Sequence, residues 1–130
     1  MIAYVLTTRL YECCPIFEAS IWPTDQVTVE MVTACLGENS LLSKPYAPSV
    51  DSDAWDSWDH ARRIAFLIVN PSDDPIEIDV GVPSLGCHIE WIIDDGNHRF
   101  ASAVFRKEKH IAARINGCVE TANSLLGTCL

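Results

Sequence analysis

The stretch that most constrains this chain is Asp94-Asp95-Gly96-Asn97-His98-Arg99-Phe100-Ala101-Ser102-Ala103. It follows an apolar run, Ile89-Glu90-Trp91-Ile92-Ile93, and opens a run with helical spacing. A strand that turns on glycine into a helix leaves unpaired backbone N–H groups at the helix start. The positive pole of the helix lies at the same end, so the turn suits an anion, phosphate above all. Here it also carries His98, a titratable imidazole, and Arg99, a permanent cation. The pattern predicts a phosphate or carboxylate pocket and by itself implies no reaction.

Around that turn the chain reads as a mixed α+β domain. Apolar and β-branched residues predict a strand over 2–7, and prolines bracket a second extended segment over 14–23. Thr24 is the expected cap of a helix over 26–36 that closes at Gly37. Residues 43–57, rich in Pro, Ser and Asp with Tyr46 and Trp55 interspersed, read as a loop. Asp56 or Ser57 caps a helix to about residue 68, with Trp58, Ala61, Ile64, Ala65 and Ile68 on one face. Asn70-Pro71 stops it. Ile76-Glu77-Ile78-Asp79-Val80 alternates as a half-buried strand does. A loop over 83–86, a strand over 87–93 and the helix over 97–105 follow. A short strand over 111–115, a turn at Asn116-Gly117 and a final helix over 119–126 complete the order.

At 130 residues, 48% hydrophobic and 21% charged, the sequence describes one folded domain with a substantial core. The net charge of −9 argues against non-specific binding to duplex DNA, whose affinity comes from phosphate neutralisation. The charge is uneven. Arg99, Arg106, Lys107, Lys109 and Arg114 cluster in one segment, whereas 51–59 and 73–79 are acidic. A local anion site on an acidic body fits this distribution. The first ten residues lack a basic n-region, and no apolar stretch approaches the roughly 20 residues that span a bilayer. A cytoplasmic protein without a membrane partner is expected, with its six cysteines reduced and mostly serving as small buried hydrophobes. None has CxxC spacing, and Cys87-His88 lacks matched partners, so no metal centre is expected from them.

The order helix, Pro-Ile-x-Ile strand, strand, Asp-Gly-x-His-Arg turn, helix and short strand resembles the domain shared by ParB-like proteins and sulfiredoxin. The matching pieces are Ala61-Arg62-Arg63-Ile64-Ala65, Asp74-Pro75-Ile76-Glu77-Ile78, Trp91 to Ala103, and Ile111-Ala112-Ala113-Arg114-Ile115. They cover residues 57–116, a little under half the chain, and leave 1–56 as an N-terminal elaboration of unassigned role. The resemblance implies a small mixed sheet flanked by helices and a nucleotide held at the turn: CTP in ParB proteins, ATP in sulfiredoxins and free-serine kinases. Some members are reported as nucleases. Two departures narrow it. Asn97 stands where sulfiredoxin has its catalytic cysteine, which points away from sulfinic-acid repair. Partition proteins carry Gly-Glu-Arg-Arg in the turn and continue into a helix-turn-helix domain, and this chain shares neither feature. What remains resembles the stand-alone ParB-like proteins of phages and mobile elements.

On this basis Gly96, Asn97, His98, Arg99 and Asp94 are the candidate nucleotide-binding residues, with His98 and Asp95 as candidate catalytic groups. Arg99 would grip phosphate oxygens with its planar fork, or else pair with Asp94 or Asp95. Gly96 would admit the ligand to the backbone, and Asn97 would cap the helix. His98 would act as phosphate donor, acid or base, or else orient the turn. Asp94 and Asp95 suit Mg²⁺ carried in with ATP or CTP, although Asp95 also reads as a turn former. Glu77 and Asp79 share a strand face that is either solvated or turned to the site. Trp58 reads as core, and Trp55 is free to stack on a base. The expected function is nucleotide binding, with triphosphate hydrolysis as its extension. The alternatives are an effector that binds a host protein through the acidic loop 43–59, and a metal-dependent nuclease. DNA is the less favoured partner.

Overall fold

The computed structural model describes residues 2–46 and 55–130. Residues 47–54 of the acidic loop 43–59 therefore lie outside the described residues, and with them the expectation of a partner surface there.

Ile2–Leu6 forms β1 and runs directly into a two-turn helix α1, Thr7–Cys13. Helix α2 is Val29–Gly37, and α3 is Ser57–Val69. Then come β2 (Ile76–Asp79), a single 3₁₀ turn (Pro83–Leu85), β3 (Ile93–Asp95), α4 (Asn97–Phe105), β4 (His110–Asn116) and α5 (Val119–Leu126). The four strands make one mixed sheet in the order β1-β4-β2-β3. The outer pairs β1–β4 and β2–β3 are antiparallel, and the central pair β2–β4 is parallel, with Ile76 beside Ala113 and Ile78 beside Ile115. The parallel pair requires a crossover, which β3 and α4 supply. A mixed four-stranded sheet with five α-helices among the described residues is the α+β class expected.

The alternation in 76–80 does what its period demands: Ile76, Ile78 and Val80 are buried. Glu77 faces outward and accepts from Arg114 at 3.2 Å, and Asp79 Oδ1 accepts from the Gly81 N–H at 2.8 Å. Both carboxylates are thus engaged away from the turn, on the solvated-face alternative. Helix α3 buries His60, Ala61, Ile64, Ala65 and Leu67, and α4 buries Phe100, Ala101, Ser102 and Ala103. Small residues on both sides let these two helices pack against each other. The N-terminal segment joins the same core through Val5, Leu10, Ile16, Val27 and Val32. Arg9 reaches the far end of the chain and donates to the carbonyls of Ser124 and Leu125 at 3.0 and 3.2 Å, closing the last turn of α5.

Several expectations are corrected. Residues 14–23 form turns and bends rather than a strand, because Pro15 and Pro23 remove ladder donors; Ile16 and Phe17 are nonetheless buried. Helix α2 starts later than expected, and its cap is Thr28, whose Oγ1 accepts from the Met31 N–H at 3.2 Å, not Thr24. The strand expected over 87–93 reduces to Ile93–Asp95. The chain folds back through Gly86, and Val82 and Cys87 exchange backbone hydrogen bonds at 2.9 and 3.1 Å. Those groups are spent before the sheet is reached. Trp58, ahead of the buried stripe of α3, is 42% exposed, whereas Trp55 is buried. Of the cysteines only Cys14 and Cys35 are buried, while Cys87 and Cys129 are exposed. No helix among the described residues is long and apolar enough to cross a membrane.

The start of α3 is closed reciprocally. The Asp59 N–H donates to Asp56 Oδ1 at 2.8 Å and the Asp56 N–H to Asp59 Oδ2 at 3.0 Å. Asp56→Ala removes the first bond and the cap charge, and should lower stability to urea by about 1 kcal/mol. An unchanged unfolding midpoint would show that packing alone sets this helix start.

Candidate functional site

Strand β3 ends at Asp95, and Gly96 turns the chain with φ 98° and ψ 24°. No other residue fits there. A Cβ on Gly96 would lie 2.6 Å from Cγ2 of Ile76, a core residue, in addition to the left-handed backbone. Gly96 itself is the N-cap of α4, and no side chain caps the helix. The first intrahelical bond runs from the Phe100 N–H to the Gly96 carbonyl at 2.8 Å. The amides of 97–99 consequently sit at the open, positive end of the helix.

Asn97 does not cap, contrary to expectation. It is the first helical residue, and its Oδ1 accepts from the Trp91 indole N–H at 2.8 Å. Its role is to hold Trp91 in place beside the turn. Arg99 donates to Asp95 Oδ2 at 3.3 Å and to the Asp74 carbonyl at 3.5 Å. The salt-bridge alternative is therefore realised with Asp95, an exposed carboxylate. Asp94 is exposed as well, and both acids border the same cleft.

That cleft has a volume of about 720 Å³. The start of α4 and Arg99 form one side, and Trp22, Tyr46, Trp91 and Arg63 line much of the rest. Arg63, on α3, donates to the carbonyls of Ser43 and Leu42 at 2.9 and 3.5 Å, and no carboxylate pairs with it among the described residues. Burial and the positive charge of Arg99 both disfavour its protonated form. Arg63 and Arg99 thus line the same cleft, together with Asp74, Asp94 and Asp95.

His98 lines the cleft and points back into the protein. Its Nε2 lies 2.9 Å from Nδ1 of His60, a fully buried residue of α3. The Trp22 indole stacks flat on both imidazoles, with centroids at 4.3 and 4.6 Å. Tyr46 and Trp55 meet His60 at steep angles. Desolvation in this aromatic surround lowers the His60 pKa to about 4, against the opposing pull of the Asp59 and Asp56 carboxylates. His98 is held well below its usual value by burial, by His60 and by Arg63. Both rings are therefore neutral near pH 7.

The structure brings Asp94, Asp95, Gly96, Asn97, His98 and Arg99 to one cleft, as contiguity ensures. Trp22, Tyr46 and Arg63 join them at the cleft, with His60 behind His98; of these only Arg63 lay in a matched piece of sequence. His60 was detectable as buried, since 60, 64 and 67 share a helical face. Its pairing with a residue 38 positions away was not. Compared with protein-family models, curated proteins and solved structures, the chain matches none.

Two outcomes follow. Gly96→Ala should cost about 2–5 kcal/mol, from the left-handed backbone and the collision with Ile76. Urea unfolding measures it, and a loss under 1 kcal/mol would mean that the turn relaxes freely. The second concerns pH. The unfolded chain protonates His60 near 6.5 and the folded chain only near 4, so protons favour unfolding between those values. Stability should be full above pH 6.5 and fall by about 3 kcal/mol as pH drops to about 4, in addition to any carboxylate titration. His60→Phe should flatten this part of the urea-midpoint profile, and an identical profile in the variant would contradict the assignment.

Proposed function

We propose that the cleft binds a nucleotide, with its phosphates at the start of α4 and its base against the aromatic wall. The observation that carries this reading is that Arg63 and Arg99 line one cleft together with a helix N-terminus that no side chain caps. Arginine matches phosphate through paired, charge-assisted hydrogen bonds. The open helix end adds N–H donors and a partial positive charge. Trp22, held by its stack on two imidazoles, and Trp91, held by Asn97, offer preordered ring faces for a base. A cleft of about 720 Å³ has room for a nucleotide.

Mg²⁺ is bound through one or two carboxylates together with substrate phosphates. Asp94 and Asp95 fit that role: both are exposed at the cleft, and Asp95 is held only by a solvent-exposed pair with Arg99. They would hold the ion that accompanies ATP or CTP. Hydrolysis is the extension of this reading, with His98 and Asp95 as the groups closest to the phosphates. Because its ring is neutral, His98 would serve as hydrogen-bond partner or proton acceptor, not as a resident cation. The element order over 57–116, with β2 flanked by β3 and β4 and the Asp-Gly-Asn-His-Arg turn opening α4, supports a ParB/sulfiredoxin-like domain of the stand-alone type.

Calorimetric titration with ATP, CTP and GTP, each with Mg²⁺ and with EDTA, tests the reading. Saturable binding should weaken at least about tenfold in Arg99→Ala and in Arg63→Ala, since each removes a charged bond worth about 1.5–3 kcal/mol. EDTA should weaken triphosphate binding. Undiminished affinity in both arginine variants would refute the assignment.

A further inference from the structure

The sheet ends on β3 at one side and on β1 at the other, and the two edges differ. Strand β3 is three residues long, carries Asp94 and Asp95, and meets β2 with a register shift between Glu77 and Ile78. Shortness, charge and irregular pairing are features that keep an edge from adding another strand. The β1 edge has none of them. Ile2-Ala3-Tyr4-Val5-Leu6 is uncharged, holds no proline and pairs with β4 in one unbroken register. A single bond fixes which way its backbone groups point. The Thr7 N–H donates to the Lys109 carbonyl at 2.9 Å, just beyond the Leu6–His110 pair. Successive residues of an antiparallel strand bond to alternate sides, so Ala3 and Val5 also bond to β4. Ile2, Tyr4 and Leu6 then turn their N–H and C=O groups to the open edge. Among the described residues those groups have no partner, apart from the Leu6 carbonyl, which belongs to the N-cap of α1.

We infer that this edge takes a second copy of the chain, β1 against β1 in antiparallel register about a two-fold axis at Tyr4. Ile2, Tyr4 and Leu6 are spaced evenly with Tyr4 in the middle, so the axis maps the outward groups onto one another. The two Tyr4 residues exchange both backbone bonds, and each Leu6 N–H donates to the Ile2 carbonyl of the other copy. No outward group of Tyr4 is left over, and no outward N–H of Leu6. The side chains suit the same register. Those of Ile2, Tyr4 and Leu6 share the sheet face opposite the fully buried Val5. Tyr4 is 73% exposed and Ile2 48%. Pairing sets the two Tyr4 rings side by side and each Ile2 beside Leu6 of the other copy, cross-strand neighbours that favour a sheet. No like charges meet along the seam, because β1 carries none. No residue of β1 lines the cleft, so the dimer stands apart from the nucleotide reading and leaves the cleft open. The contact is small. With two well-exposed side chains per copy it stays below about 1,200 Å², in the range of weak, reversible interfaces. A Kd of about 10–100 μM is expected.

Sedimentation equilibrium of the full chain from about 5 to about 500 μM reads the association. A reducing buffer keeps the exposed Cys87 and Cys129 from cross-linking. Salt at about 0.15 M screens the net charge of −9 on each copy beyond about 8 Å. The average mass should rise from monomer toward dimer over this range. Amide exchange read residue by residue at the two ends of the range locates the contact. The Tyr4 and Leu6 amides should slow by about three- to tenfold at the higher concentration, whereas the Val5 amide, bonded to β4, should be protected at both. Tyr4→Lys puts two like charges on the axis at an exposed position and should raise Kd at least about tenfold. Tyr4→Pro removes an N–H that β4 does not use and should abolish the dimer. If either variant fails to fold, the wild-type exchange decides alone. A chain that stays monomeric to about 500 μM would overturn the inference. So would a dimer whose Tyr4 and Leu6 amides exchange equally fast at both concentrations, or one whose Kd is unmoved by Tyr4→Lys.

Discussion

The contact between Gly96 and Ile76 determines where everything at the cleft lies. Ile76 is fully buried in β2, the strand between β3 and β4, and it fills the space that a Cβ on Gly96 would need. The backbone therefore passes from β3 into α4 in direct contact with the core, on a left-handed residue. Phe100, fully buried one turn later, fixes the helix in place. The small residues that follow bring α3 close, and with it His60 and Arg63 opposite His98 and Arg99. Two segments far apart in sequence are thus set facing each other by one packing constraint and one backbone conformation.

The charge distribution makes sense on the same scale. The protein is acidic overall, yet several of its cations are tied up in pairs: Arg62 with Asp59, Arg106 with Glu108, Arg114 with Glu77. Such exposed pairs contribute little stability, about 0–1 kcal/mol each, but they neutralise the surface locally. Arg63 is different: it donates to carbonyl oxygens, lies over the Phe66 ring and pairs with no carboxylate among the described residues. At the cleft Arg63 and Arg99 lie among Asp74, Asp94 and Asp95. Beyond a Debye length of about 8–10 Å the acidic exterior dominates whatever is not screened, which disfavours a polyanion lying across the surface. A small anion that enters the cleft meets mainly the local field.

Elements whose register depends on local pattern were legible in the sequence. The alternation of 76–80, the capping residue Asp56, the glycine turn at 96 and the helix after it each have a signal within a few residues. Elements decided by distant partners were not. Helix α1 is too short to show a period and is held by its junction with β1 and by docking against α5. The strand expected before Ile93 lost its ladder groups to the fold-back at Val82 and Cys87. In the site, the contiguous half was readable as a motif, and the half built from Trp22 and His60 was not. Asn97 shows the limit most clearly: a residue type that favours capping was placed one position late by Gly96, and its amide became the partner of Trp91.

Trp22 joins these two halves. It comes from a segment without regular structure, bracketed by residues that discourage a strand, and its indole covers both imidazoles at once. A flat apolar ring over two hydrogen-bonded histidines removes water from the face where a proton would be hydrated, and so favours the uncharged pair. Neutrality has a structural cost, since burying His60 leaves one of its nitrogens without a polar partner among the described residues. A core designed only for stability would put an apolar residue there. The pairing of a buried imidazole with one that borders an arginine-lined cleft is therefore best understood as a constraint on the outer ring. The inner ring and its aromatic cover hold the outer ring in place beside the cleft.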